Sequence, residues 1–319
     1  MTQSDQLLEA LEGQARRREG RRAFFRAAVG AAAIGAGSFL VANRAAAQTL
    51  TDADVLNFAL NLEYLEANFY SYAVFGTPIA ATSVGGTGTP GAATGGRAVR
   101  FSDPIVAQHA REIALDEIAH VNFLRQQLGA AAVAQPAIDV GTAASGGFSS
   151  AARAAGVITG ADATFDPYAS DENFLLGAFL FEDVGVTAYK GSVGLLTNKT
   201  YIDAAAGIHA AEAYHAAMIR TTLDQKGIAT PTLIANTEAI SNARDRLDGS
   251  ADIDQGIARV SSAAGDVANI APTDANGIAF GRTAQQVLNI VYLNAAAVTA
   301  GGFFPAGVNG TIRSSALSA

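Results

Sequence analysis

Residues 110–124 read Ala-Arg-Glu-Ile-Ala-Leu-Asp-Glu-Ile-Ala-His-Val-Asn-Phe-Leu. Wound as a helix, this stretch continues a seam through Val106, Ala110, Ile113, Glu117, His120 and Leu124, spaced alternately three and four apart. Such a seam packs against other helices, yet two ionisable residues interrupt it at mid-length. Glu117 and His120 lie about 60° apart around the axis, so both side chains reach into the same space.

Three other segments carry the same interruption. One seam runs Leu56, Leu60, Glu63, Ala67, Tyr70, Val74. Another runs Leu175, Phe179, Glu182, Val186, Tyr189, Val193, Leu196, and a third Ala205, Ile208, Glu212, His215, Ile219, Thr222. The halves repeat: Glu63 and Tyr70 are seven apart, as are Glu182 and Tyr189, and each such helix precedes one bearing Glu-x-x-His. Eleven Glu and four His in 319 residues would supply one such spacing by chance well under once.

The punctuation agrees. Thr51-Asp52 opens a helix running to about Phe75, Ser102-Asp103-Pro104 one ending near Leu128-Gly129, and Ser170-Asp171-Glu172 one ending near Thr197-Asn198. A fourth runs from about Tyr201 to Lys226-Gly227. Residues 76–101 and 130–170, rich in Gly, Ala, Thr and Ser, read as loops, the second a long crossover. Residues 234–247 and 280–298 are expected to be helical, and Gly301-Gly-Phe-Phe-Pro305 a turn packed on the bundle. No chemistry is read in residues 230–319.

Burying four unpaired carboxylates at one level costs several kcal/mol each. Four glutamates and two neutral histidines carry −4, which two divalent cations cancel. A Glu from each of two helices with Glu-x-x-His from the other two is the ligand pattern of ferritin-like di-iron and di-manganese proteins. The expected metal ligands are therefore Glu63, Glu117, His120, Glu182, Glu212 and His215, holding two Fe or Mn ions. Tyr70 and Tyr189 are candidate catalytic residues that hydrogen-bond a ligand or donate electrons, with core packing as the alternative. Glu66 is expected beside the ligands or towards the bundle's flank, where water can replace it. Asp116 and Asp183 are expected in water or in ion pairs, and His109 and His209 outside the ligand set.

The chain resembles the bacterial ferritin-like family that includes desiccation-related proteins, over about residues 50–305. The resemblance rests on Leu-Asn-Leu-Glu63-Tyr-Leu-Glu66-Ala-Asn-Phe-Tyr70, Glu117-Ile-Ala-His120, Glu182, Glu212-Ala-Tyr-His215, Ala279-Phe-Gly-Arg-Thr283, Val287-Leu-Asn-Ile-Val-Tyr-Leu293 and the Gly301–Pro305 ending. It implies an all-α fold: a ferritin-like four-helix bundle (residues 48–230) with a long crossover and a C-terminal helical extension (231–319). The long loops and C-terminal third depart from cage ferritins.

Composition narrows the function. Apolar types are 50 % and charged types 16 % of the chain, which excludes a disordered chain. No Cys is present, so disulfides, thiolate metal sites and Cys nucleophiles are excluded. A formal charge of −8 argues against nucleic acid as a partner. Arg21-Arg22-Ala-Phe-Phe-Arg26, the small apolar run Ala27–Val41 and Ala45-Ala46-Ala47 resemble a twin-arginine export signal over residues 1–47. Cleavage there would remove seven Arg and four acids, leave −11, and place the protein in the periplasm or at the cell surface without a stable membrane span. The expected activity is oxidation of metal or consumption of O₂ or peroxide in stress protection. The alternatives are a non-catalytic metal-binding or desiccation protein and a surface structural component. The assembly state stays open, a homo-oligomer included.

Overall fold

The computed structural model describes residues 50–262 and 265–318, so the export signal expected over residues 1–47 lies outside the described residues. Two compact units divide the chain: Thr51–Ala258 with Phe280–Ala319, and a second containing Arg259–Ala279. Within the second, β3 (Val260–Ser262) and β4 (Gly265–Val267) form a short antiparallel pair, and Asp274 closes a turn by accepting from the Ile278 amide.

The first unit is built on four long helices. Helix α1 (Asp52–Phe75) begins with a reciprocal capping box between Thr51 and Asp54 and ends at Gly76, whose φ of 74° suits glycine. Helix α2 (Pro104–Leu128) has Asp103 as its cap and Pro in its first turn. Helix α4 (Asp171–Ser192) is capped by Ser170, and α5 (Lys199–Ala229) by Asn198. Helix α1 packs along α2, and α4 along α5; contacts of α1 with α4 and of α2 with α5 close the bundle. This agrees with the all-α expectation and places four seam glutamates at one depth.

Helix α1 differs from an ordinary bundle helix, because every residue from Val55 to Ser71 is buried. Asn57, Asn61, Tyr64 and Asn68 form a polar stripe along it. Asn57 donates to Ala131 O, Asn61 to Asn309 O, Tyr64 to Val133 O, and Asn68 to Gln135 Oε1. The stripe thus satisfies loop and tail groups that burial would otherwise strand.

Those bonds order the segments read as low-complexity loops. Strand β1 (Ala93–Thr94) pairs in parallel with β2 (Ile138–Asp139), and α3 (Gly147–Ala155) interrupts the crossover. The apolar signal for α3 was short: Phe148, Ala151 and Ala152 alone anchor it in the core. Phe148 meets Phe69, Phe181 and Phe303, so the C-terminal tail docks in the same aromatic cluster.

Helix α6 (Pro231–Asp248) agrees with the expected helix over 234–247. The helix expected over 280–298 is corrected to α7, Ala284–Val291. Thr283 and Gln286 form its capping box, which excludes residues 280–282. At the other end Leu293 adopts φ 54°, and the Asn289 side chain donates to Asn294 O and Ala316 O. A left-handed residue and a side chain serving the tail's carbonyls stop the helix.

The extension joins the bundle through buried charge. Arg220 and Arg244 both bind Asp183, at 2.8 and 3.0 Å. Arg244 and Arg282 each reach Asp254 at 2.7 Å, and Arg282 reaches Asp248 at 2.6 Å. Of the environments expected for Asp183, the ion pair is the one found, fully inside the protein. The reading that residues 230–319 carry no chemistry missed these partners, because arginines and aspartates read in sequence as solvated surface.

Candidate metal centre

The four long helices bring all six expected ligands together. Glu63 comes from α1, Glu117 and His120 from α2, Glu182 from α4, and Glu212 and His215 from α5. Their donor atoms form two overlapping quartets: Glu63, Glu117, His120 and Glu212, then Glu117, Glu182, Glu212 and His215. Within each quartet one donor atom per residue lies within 4.8 Å of every other. Glu117 and Glu212 belong to both. Glu117 Oε2 lies 3.6 Å from His120 Nδ1 and its Oε1 3.1 Å from His215 Nδ1. The Glu-x-x-His glutamates are thus the shared pair, while Glu63 with His120 and Glu182 with His215 hold opposite ends. His120 Nδ1 is 3.3 Å from Glu63 Oε2, and His215 Nδ1 is 3.5 Å from Glu182 Oε2.

The residues fit a pair of cations. In these six residues eight buried donor atoms have no hydrogen-bond partner: Glu63 Oε2, both oxygens of Glu117, His120 Nδ1, Glu182 Oε2, both oxygens of Glu212, and His215 Nδ1. Buried polar atoms are ordinarily satisfied, so eight in one place call for a bound group. Hard carboxylate oxygens and borderline imidazole nitrogens suit Fe or Mn.

The remaining atoms are held from outside. Tyr70 on α1 donates to Glu182 Oε1 on α4, and Tyr189 on α4 donates to Glu63 Oε1 on α1. Asp116 Oδ2 lies 3.1 Å from His215 Nε2, which turns Nδ1 towards the quartet. His109 and His209 belong to neither quartet.

Electrostatics reflect the crowding. Burial pushes Glu63 up to about 7, and burial with neighbouring carboxylates pushes Glu66 and Glu212 well above the usual range. Burial would raise Glu117 as well, but His120 and His215 beside it hold it below. Burial opposes charge on the imidazoles, yet the carboxylates raise His120 to about 11 and His215 to about 12. Burial and their carboxylate partners raise Tyr70 and Tyr189 well above an ordinary phenol.

Of the two positions expected for Glu66, the one beside the ligands is found and the water-facing flank is corrected. Glu66 is 5 % exposed and sits among the carboxylates of the cluster, although outside both quartets. On α1 no flank faces water, because loops and tail cover it. The Asn57–Asn61–Asn68 stripe was the signal available: amides along one side of a helix beside its seam need partners, and the segments that supply them cover the helix. Gly185 was also missed. A Cβ there would collide with Glu212 Oε2 and lie 3.3 Å from Glu66 Oε1. A glycine inside a helix costs about 1 kcal/mol relative to alanine, and here it makes room for two carboxylates.

Residues 51–225 match the ferritin-like domain family. The chain is 29 % identical to the desiccation-related protein PCC13-62 of Craterostigma plantagineum over 75 % of this chain and 76 % of that one. It is 25 % identical to the ferritin-like catalase Nec2 of Nesocodon mauritianus over 82 % of this chain and 84 % of that one. No solved structure matches. Among the described residues no helix is long and apolar enough to cross a membrane. With four bundle helices meeting at a carboxylate and imidazole cluster and its matched region covering more than half of its length, the chain belongs to the ferritin-like domain family.

Proposed function

We propose that the chain is an exported redox protein that holds two Fe or Mn ions and consumes peroxide or O₂. The observation that carries this reading is the set of eight unsatisfied donor atoms in two quartets sharing Glu117 and Glu212. Glu63 and His120 would hold one ion, and Glu182 and His215 the other. Two such ions would supply a two-electron couple matched to a dioxygen species. Tyr189 and Tyr70 each occupy one oxygen of a terminal glutamate, so a single oxygen of Glu63 and of Glu182 faces inward. Asp116 fixes the His215 ring. The relative named a ferritin-like catalase supports turnover. The Arg21-Arg22 signal supports export to the periplasm or cell surface.

A second reading is a metal-binding protein without turnover that acts in desiccation, favoured by the relative named for desiccation. Metal analysis of the protein from its native compartment, followed by peroxide and O₂ consumption by the loaded form, separates the two. Two ions and steady consumption support the first reading. Two ions without consumption support the second, and a metal-free, inert protein contradicts both.

A further inference from the structure

The cluster has two unlike sides. Towards α2 and α5 it is polar and near water: the His120 side chain is 12 % exposed, and Asp116 beside His215 is 48 % exposed. On another side, α1, α4 and the C-terminal segment line a small apolar pocket. Leu62, Leu65, Leu180, Val184, Val291 and Phe303 line it, and its polar member is Glu66. Gly185 is also in its wall, at the place where a side chain would collide with Glu212. The pocket therefore adjoins the cluster across a helix position that carries no side chain.

We propose that this pocket is the approach for the oxidant, an uncharged molecule of two heavy atoms such as O₂ or H₂O₂, with Glu66 as the polar gate at its inner end. The proposal rests on the redox reading above and adds the route. A metal cation would lose its water against apolar walls with nothing to replace it. An anion would meet Glu66 and Glu212. A small neutral molecule incurs neither penalty; O₂ is favoured by apolar surroundings, and H₂O₂, whose hydroxyls lose their hydrogen bonds to water along the walls, has Glu66 to pair with. Cations have the polar side at Asp116 and His120. The division also assigns a purpose to the C-terminal segment: Ile290, Val291 and Phe303 complete a wall that the four bundle helices alone leave open.

The test uses the whole protein in two ways. Crystals are pressurised with xenon, which enters dry apolar cavities. We expect a xenon atom beside Glu66 and Val184. The larger apolar pocket lined by Phe148, Ala152, Leu176, Ile240 and Leu247 serves as an internal control. Xenon in the control pocket but none beside Glu66 overturns the route. In solution, Val291→Phe fills the pocket and Val291→Ala widens it, neither touching the cluster. With Mn(II) or Fe(II) loaded, stopped-flow oxidation by O₂ and separately by H₂O₂ should slow at least tenfold in Val291→Phe. It should be undiminished in Val291→Ala, and both variants should keep the wild-type metal stoichiometry and affinity. An undiminished rate in folded Val291→Phe lacking the xenon site overturns the proposal. A loaded wild-type protein inert to both oxidants, with xenon beside Glu66, overturns the redox reading instead and leaves the pocket's preference for small uncharged molecules standing.

Discussion

The Tyr189 hydroxyl donates to Glu63 Oε1 across the bundle, joining side chains 126 positions apart. Tyr70 returns the same bond to Glu182. The two bonds relate the halves of the chain by an approximate two-fold, and each removes one oxygen from the set that faces the cluster centre. Removing a phenol leaves a buried carboxylate oxygen unpartnered, which costs about 1–3 kcal/mol. We expect Tyr189→Phe to lose about that much stability in the chelated protein while retaining two ions, as read by urea unfolding and metal analysis.

The two quartets are not equivalent in what their loss removes. Glu182 serves one quartet and Glu212 serves both. Glu182→Ala should therefore bind one ion, held by the Glu63 and His120 end, whereas Glu212→Ala should bind neither tightly. Titration with Mn(II), with circular dichroism as the folding control, gives the stoichiometries. Two ions in Glu212→Ala would show that it is not shared.

The imidazoles make metal binding a proton exchange. The folded values of about 11 for His120 and about 12 for His215 are raised above the ordinary 6.5. In the chelated protein their protonation stabilises the fold fully below pH 6.5, and that contribution is lost as pH rises through 11–12. Metal must displace both protons, so affinity should climb with pH through the neutral range. In weakly buffered solution near pH 7, loading should release at least about two protons per chain, one from each imidazole.

Away from the cluster, Asp245 is half-buried; burial, then Asp254 and Asp248, raises it from 3.8 to about 7. An acid raised in the folded state is neutral there at low pH and costs stability once ionised. The chain should lose stability between about pH 4 and pH 7 through this group, by on the order of 1–2 kcal/mol after allowing for screening at its exposed side. Asp245→Asn should raise the melting temperature at pH 8 and leave it nearly unchanged at pH 4.

Much of this architecture was legible because the seam residues state their own geometry. Glu117 and His120 can interrupt an apolar seam only if something meets them, and three further helices say the same. What was not legible depended on who covers α1. For Glu66 a flank position stayed open beside the ligand-side one, because a bundle helix ordinarily has an outer face, and loops rich in Gly and Ala give no sign that they will bury it. Asn57, Asn61 and Asn68 carried that information, since three amides on one side of a helix need hydrogen-bond partners from whatever covers it. The length of α7 was misjudged because apolar periodicity continues past Val291, while Leu293 and Asn289 turn the chain. Asp183 was open for a similar reason: its arginine partners lie 37 and 61 positions away.

The central claim is that two ions sit in two quartets with Glu117 and Glu212 between them. Anomalous diffraction from crystals of the whole protein loaded with Mn(II) tests it most directly. We expect two peaks about 3.5–4 Å apart, the usual spacing of paired catalytic ions. One should lie against Glu63 and His120 and the other against Glu182 and His215. A single peak, or peaks away from these residues while the six side chains keep their places, would contradict it.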